Sequence, residues 1–104
     1  MDKVIRNGQV AVLISPDYGA GWSTWNHEYP AEELMFDPGL VLLIEEGNTE
    51  KIETYVTLKW PNAYLGGLRS IYIEWVNQGT AFRIKEYDGA ESIELMNNIN
   101  WTIA

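Results

Sequence analysis

The sequence has no cysteine and one histidine, and only seven basic residues stand against fifteen acidic ones. Without cysteine there is no disulfide framework, no thiolate metal site and no thiol nucleophile, and a reducing compartment is compatible. Apolar runs such as Leu40 to Ile44 fall far short of the ~20 residues of a membrane span, so no membrane partner is expected. The start, Met1-Asp2-Lys3-Val4-Ile5-Arg6, lacks an apolar signal core, and a cytoplasmic location is the expectation (that of the host cell if the protein is phage-encoded). What is present is globular in character: 104 residues, 46% hydrophobic and 21% charged, with 9 glycines and 4 prolines. That length supports one domain over residues 1–104, with a single core.

The net charge of −8 shapes the choice of partner. Groove binding to nucleic acid draws its affinity from Lys and Arg neutralising phosphates, and here the seven basic residues are scattered, so direct nucleic-acid binding is not expected. The same surface suits solubility or docking on a basic protein.

Local signals predict an α+β domain. Gln9 to Ser15 reads as a strand apolar on both faces and therefore central, with a short leading strand at Lys3 to Arg6 turned by Asn7-Gly8. Residues Asp17 to Pro30 read as a long loop, packed because it carries Tyr18, Trp22, Trp25 and Tyr29. Asp37 is an N-cap with Pro38 at the first helical position, Leu40, Leu43 and Ile44 share a face, and Gly47 supplies the C-cap. A second helix starts at Asn48 or Thr49, buries Ile52, Val56 and Trp60, and stops at Pro61. Past a tight turn at Gly66 and Gly67, Ser70 to Val76 and Thr80 to Tyr87 alternate as strands. Asp88-Gly89 is a two-residue hairpin signal that sets Ile84 against Ile93, Phe82 against Leu95 and Arg83 against Glu94, with Glu86 opposite Glu91 as the one unfavourable pair. Ile99 to Ile103 alternates again as a final strand. The expected architecture is a mainly antiparallel sheet, a two-helix hairpin inserted after the first strand, and a C-terminal β-meander.

The candidate binding residues lie in the loop: Tyr18, Gly19, Gly21, Trp22, Ser23, Thr24, Trp25, Asn26 and His27. Glycines let backbone amides approach a ligand, and indoles either stack on a planar group or anchor a protein partner. The same rings would serve equally as core plugs over one end of the sheet. No phosphate-loop or dinucleotide spacing accompanies the glycines. No catalytic residue is assigned, because His27 stands alone among Ser15, Ser23, Thr24 and Asp17 with no motif to make them converge. Neighbouring carboxylates such as Glu32-Glu33 and Glu45-Glu46 do not face one another on a helix. No metal and no cofactor is expected, since one histidine and generic carboxylates make no ligand set. The acids form three groups, Glu28/Glu32/Glu33/Asp37, Glu45/Glu46/Glu50/Glu53 and Glu86/Asp88/Glu91/Glu94. They read as solvated faces, or as a mimic of nucleic acid that binds a basic groove.

Several stretches together carry a resemblance: Val10-Ala11-Val12-Leu13-Ile14-Ser15-Pro16, Gly19-Ala20-Gly21-Trp22-Ser23-Thr24-Trp25-Asn26, Met35-Phe36-Asp37-Pro38, Gly66-Gly67-Leu68-Arg69 and Phe82 to Gly89. The chain resembles small hypothetical proteins of tailed bacteriophages and prophages. The resemblance implies a cytoplasmic accessory protein that binds a host component, and it carries over no catalytic residue. With no cysteine, a lone His27 and no catalytic motif, the expectation is a non-enzymatic protein that binds a host or phage protein. The alternatives are a small-ligand module, nucleotide-like ligands included, that uses the Gly/Trp-rich loop 16–27, and a homo-oligomeric virion accessory protein.

Overall fold

The computed structural model describes residues 2–96. The chain runs β1 (Ile5–Arg6), β2 (Gln9–Ile14), α1 (Ala31–Phe36), α2 (Pro38–Glu46), α3 (Thr49–Lys59), a 3-10 turn (Gly66–Arg69), β3 (Tyr72–Asn77), β4 (Phe82–Tyr87) and β5 (Ala90–Leu95). This is the expected α+β class, all ladders antiparallel, with the helical hairpin between the first strands and the C-terminal ones. The alternating segment Ile99 to Ile103 lies outside the described residues.

β2 is the middle strand of a three-stranded sheet ordered β1-β2-β3. Its residues from Ala11 to Ile14 are fully buried, as a run with no polar face must be. Ala11 and Leu13 face α2 and α3 and join a core of Trp22, Leu34, Leu40, Val41, Ile52, Val56 and Trp60. Val10, Val12 and Ile14 face the other way and meet Phe36, Val76 and the inward residues Phe82, Ile84 and Ile93 of the β4–β5 hairpin. Three layers result, helices, sheet and hairpin. β4 and β5 form a separate two-stranded sheet, so the C-terminal strands cover the back of the first sheet instead of extending it. That answers why β2 is apolar on both faces.

The helix ends obey their caps. Asp37 accepts from the Leu40 amide at 2.9 Å and Asn48 from the Lys51 amide at 3.1 Å. Gly47 takes the left-handed conformation, φ 76°, that ends α2. Asp37 also accepts from Tyr55 Oη at 2.6 Å and from Lys59 Nζ at 2.5 Å. It is buried, and so is no part of a solvated acidic face. The hydrogen bond to Asp37 raises the Lys59 pKa above its ordinary value, while burial and then the same carboxylate raise that of Tyr55.

α1 is a helix that the pattern did not reveal. Six residues give too few turns to display a period, and its N-cap, Pro30, makes no side-chain bond. It places Leu34 in the helical core and Phe36 in the hairpin-side core. Two positions apart on a helix point to nearly opposite sides, so α1 closes the open end of the sheet against both layers.

Candidate functional site

The hairpin register is the one expected, Tyr87 opposite Ala90 through Phe82 opposite Leu95. One face of the hairpin therefore carries Glu86, Glu91, Ile84 and Ile93, and turns toward the sheet and the 15–27 loop. Glu91 is 3% exposed. Its carboxylate accepts from the Ser15 amide at 2.9 Å, the Trp22 amide at 2.9 Å, the Thr24 amide at 3.0 Å and Thr24 Oγ1 at 2.6 Å. No basic side chain touches it among the described residues. The loop is thus folded around a carboxylate of its own chain, in a nest of backbone amides of the kind that binds anions. The Glu91 amide in turn donates to the Ser15 carbonyl at 2.8 Å.

Glu86, the other half of the unfavourable pair, is held by the turn of its own hairpin and by the same loop. It accepts from the Gly89 amide at 2.7 Å and from Trp25 Nε1 at 3.2 Å. The Gly89 bond first, and the Trp25 bond second, hold its carboxyl below the usual glutamate value of 4.5. A carboxyl with a lowered folded pKa contributes stability above its unfolded value, and that contribution is lost as pH falls through the folded one. In Glu86→Gln the fall of Tm with acid below pH 4.5 should accordingly be shallower than in the wild type, which thermal melts across that range would measure.

The candidate residues divide by depth. Trp22 is 0% exposed; its Nε1 donates to the Leu34 carbonyl at 2.8 Å and its ring meets Trp60 edge-on at 5.7 Å. Ser23 and Asn26 are buried. Asn26 Nδ2 donates to the Trp22 carbonyl at 2.9 Å while its Oδ1 accepts from the Tyr64 amide at 2.6 Å. Gly21 is buried under the Trp25 ring, with no room for a Cβ. Trp25 is half-buried and stacks at a tilt on Tyr64, 5.5 Å between centroids. Tyr64, whose hydroxyl donates to the Gly19 carbonyl at 2.6 Å, was not among the expected site residues. Thr24 is spent on Glu91. Tyr18, Gly19 and His27 are exposed. Tyr18 contacts Tyr87 edge-on at 6.1 Å, the two rings being 73% and 74% exposed.

Gly89 joins the hairpin to this loop. It has φ +88°, following Asp88 at φ 53°, as a tight hairpin turn with two left-handed residues requires. A Cβ there would lie 2.7 Å from the Ala20 amide nitrogen and 2.9 Å from that of Gly19. Gly89→Ala should cost about 2–4 kcal/mol through backbone strain and overpacking, read as a lowered urea midpoint.

Comparison with known proteins adds no further constraint. No family model, curated protein or solved structure matches the chain. The site's chemistry rests on its own geometry. His27 makes no hydrogen bond to Ser15, Ser23 or Thr24 among the described residues, and no three carboxylate or histidine side chains there converge as a metal ion needs. No helix of the described residues is long and apolar enough to cross a membrane.

Proposed function

We propose that the protein is a small acidic accessory protein of phage type, non-enzymatic and cytoplasmic, that binds a host or phage protein through its aromatic loop–hairpin end. The observation that carries this reading is the Tyr18–Tyr87 pair. Two large rings stand almost wholly in water on a backbone that Glu91, Glu86 and Gly89 hold fixed. Rigid, exposed tyrosines offer contact area at little entropic cost and are typical anchors of protein interfaces. Asp17 and Asp88, both exposed and each next in sequence to one of the rings, form no ion pair among the described residues, which favours a partner with Lys or Arg around the contact. The small-ligand alternative is disfavoured because the loop amides that would hold a ligand already serve Glu91. A net charge of −8 likewise opposes a homo-oligomeric virion role.

The test is affinity capture of partners from bacterial lysate with the wild type and with the doubly substituted Tyr18→Ala/Tyr87→Ala protein, its fold checked by circular dichroism. Truncating anchors of this kind costs about 2 kcal/mol or more, so affinity for the captured partner should fall roughly 30-fold or further. Binding should persist at high salt, since exposed charges are screened beyond about 8–10 Å. Equal retention by the double variant, with loss in salt, would transfer recognition to the acidic faces.

A further inference from the structure

A second surface lies away from the aromatic end, along β3. In the order β1-β2-β3 this strand is an edge, and the outward backbone groups of Tyr72 to Val76 have no hydrogen-bond partner among the described residues. Glu74 pairs across the ladder with Val12, so its side chain is on the hairpin-facing side, with Tyr72 and Val76 two positions to either side. One oxygen of the Glu74 carboxylate, Oε2, is buried and has no hydrogen-bond donor. Beside it a cleft of about 290 Å³ opens between β3 and β5, with Trp75, Val76, Ile93 and Leu95 as its apolar lining and Gln9, Asn77 and Thr80 as polar lining next to Glu74 itself.

Glu74 as a whole is half-buried, but its enclosed oxygen lacks a donor among the described residues, and a cationic donor brought to this carboxylate supplies one. The mixed cleft lining, apolar at Val76, Ile93 and Leu95 and polar at Asn77 and Thr80, supplies the rest of a recognition surface. We infer that β3 is a strand-addition site, which takes an extended segment of a partner protein with a lysine or arginine placed opposite Glu74 and apolar residues two positions before and after it. In an added strand the residue directly opposite Glu74 points to the same face, a few ångströms away, and its i±2 neighbours face Tyr72 and Val76. Main-chain bonds to the open edge would give affinity, and the Glu74 pair would give register and sequence preference. This inference is independent of the aromatic end.

The probe is a capped synthetic hexapeptide of alternating valine and threonine with one central arginine, compared with the same peptide carrying citrulline, which keeps the shape and loses the charge. Titrated into the full-length protein and followed by amide chemical shifts, the arginine peptide should perturb Tyr72 to Asn77 and Ile93. The citrulline peptide should bind at least tenfold more weakly. Glu74→Gln should bind the arginine peptide at least tenfold more weakly as well, and should melt no lower than the wild type in the absence of peptide, because it relieves an unpaired charge. Tyr87→Ala should leave peptide affinity unchanged, which separates this site from the aromatic one. The inference is overturned by equal affinity for the two peptides, by an unaffected Glu74→Gln, by shifts centred elsewhere, or by no binding at millimolar peptide. A Glu74→Gln protein clearly less stable than the wild type would also overturn it, since the carboxylate would then have an internal partner.

Discussion

Replacing Glu91 by alanine should cost about 4 kcal/mol or more, because each buried donor left without an acceptor forfeits roughly 1–3 kcal/mol. The Ser15, Trp22 and Thr24 amides and the Thr24 hydroxyl all converge on this carboxylate, and none has a second partner among the described residues. Domains of this size are stable by about 5–15 kcal/mol, so the variant would stand close to unfolding at 37 °C. Glu91→Gln keeps one acceptor oxygen but turns an NH2 group toward donors, and should fall between alanine and wild type. Urea denaturation gives the energies. Hydrogen exchange tells where they act, with protection at the Trp22 and Thr24 amides collapsing before that of β2. Unchanged protection at those two amides in Glu91→Ala would mean that the loop holds its shape without the carboxylate.

Trp22→Ala is the second large effect, expected at about 4 kcal/mol from the lost ring and the cavity it leaves. Trp22 fills the space between β2, α1 and α3, and its indole N–H is the donor to the Leu34 carbonyl. Trp22→Phe loses that bond and leaves a smaller cavity where the rest of the indole lay, and should cost about 2 kcal/mol. Both substitutions lose the indole N–H bond, so their difference, measured by urea midpoint at constant slope, gives the contribution of the ring volume that phenylalanine keeps. Because the Trp22 amide is also a donor to Glu91, combining Trp22→Ala with Glu91→Ala should cost less than the sum of the two. An additive pair would show that loop and nest are independent.

Much of this fold was legible because its signals are local. Asn7-Gly8 and Asp88-Gly89 fix hairpins whose central residues take positive φ, and the Asp88-Gly89 turn sets the whole β4–β5 register. Asp37-Pro38, Gly47 and Asn48 mark helix ends that the chain obeys. What stayed hidden depends on distant partners. The Glu86–Glu91 pair read as a flaw, yet each carboxylate has donors contributed by a loop more than sixty positions earlier, such as the Ser15 amide at a separation of 76. Backbone amides leave no trace in residue type, so no pattern marks them as a nest. The one available hint was that Glu91 alternates with Ile93 and Leu95 on the inward face. The depth of the tryptophans was equally closed to inspection, since Trp22 and Trp25, three residues apart in one loop, divide between core and surface.

The central position of β2 also governs the order in which the chain can be assembled. Val10 to Ile14, apolar on both sides, leave the ribosome well before the partners that shelter them, since the β3 strand that pairs with them ends at Asn77 and the hairpin that covers their second face ends at Leu95. Every contact that shelters this segment from one side is therefore non-local, and non-local pairing is slow. Until it forms, an uncharged stretch of high β-propensity stands exposed, the kind of segment that nucleates intermolecular strands. The nascent chain is thus at its most vulnerable before Tyr72 to Leu95 exist, and slow translation beyond Trp60 should favour inclusion bodies over soluble protein.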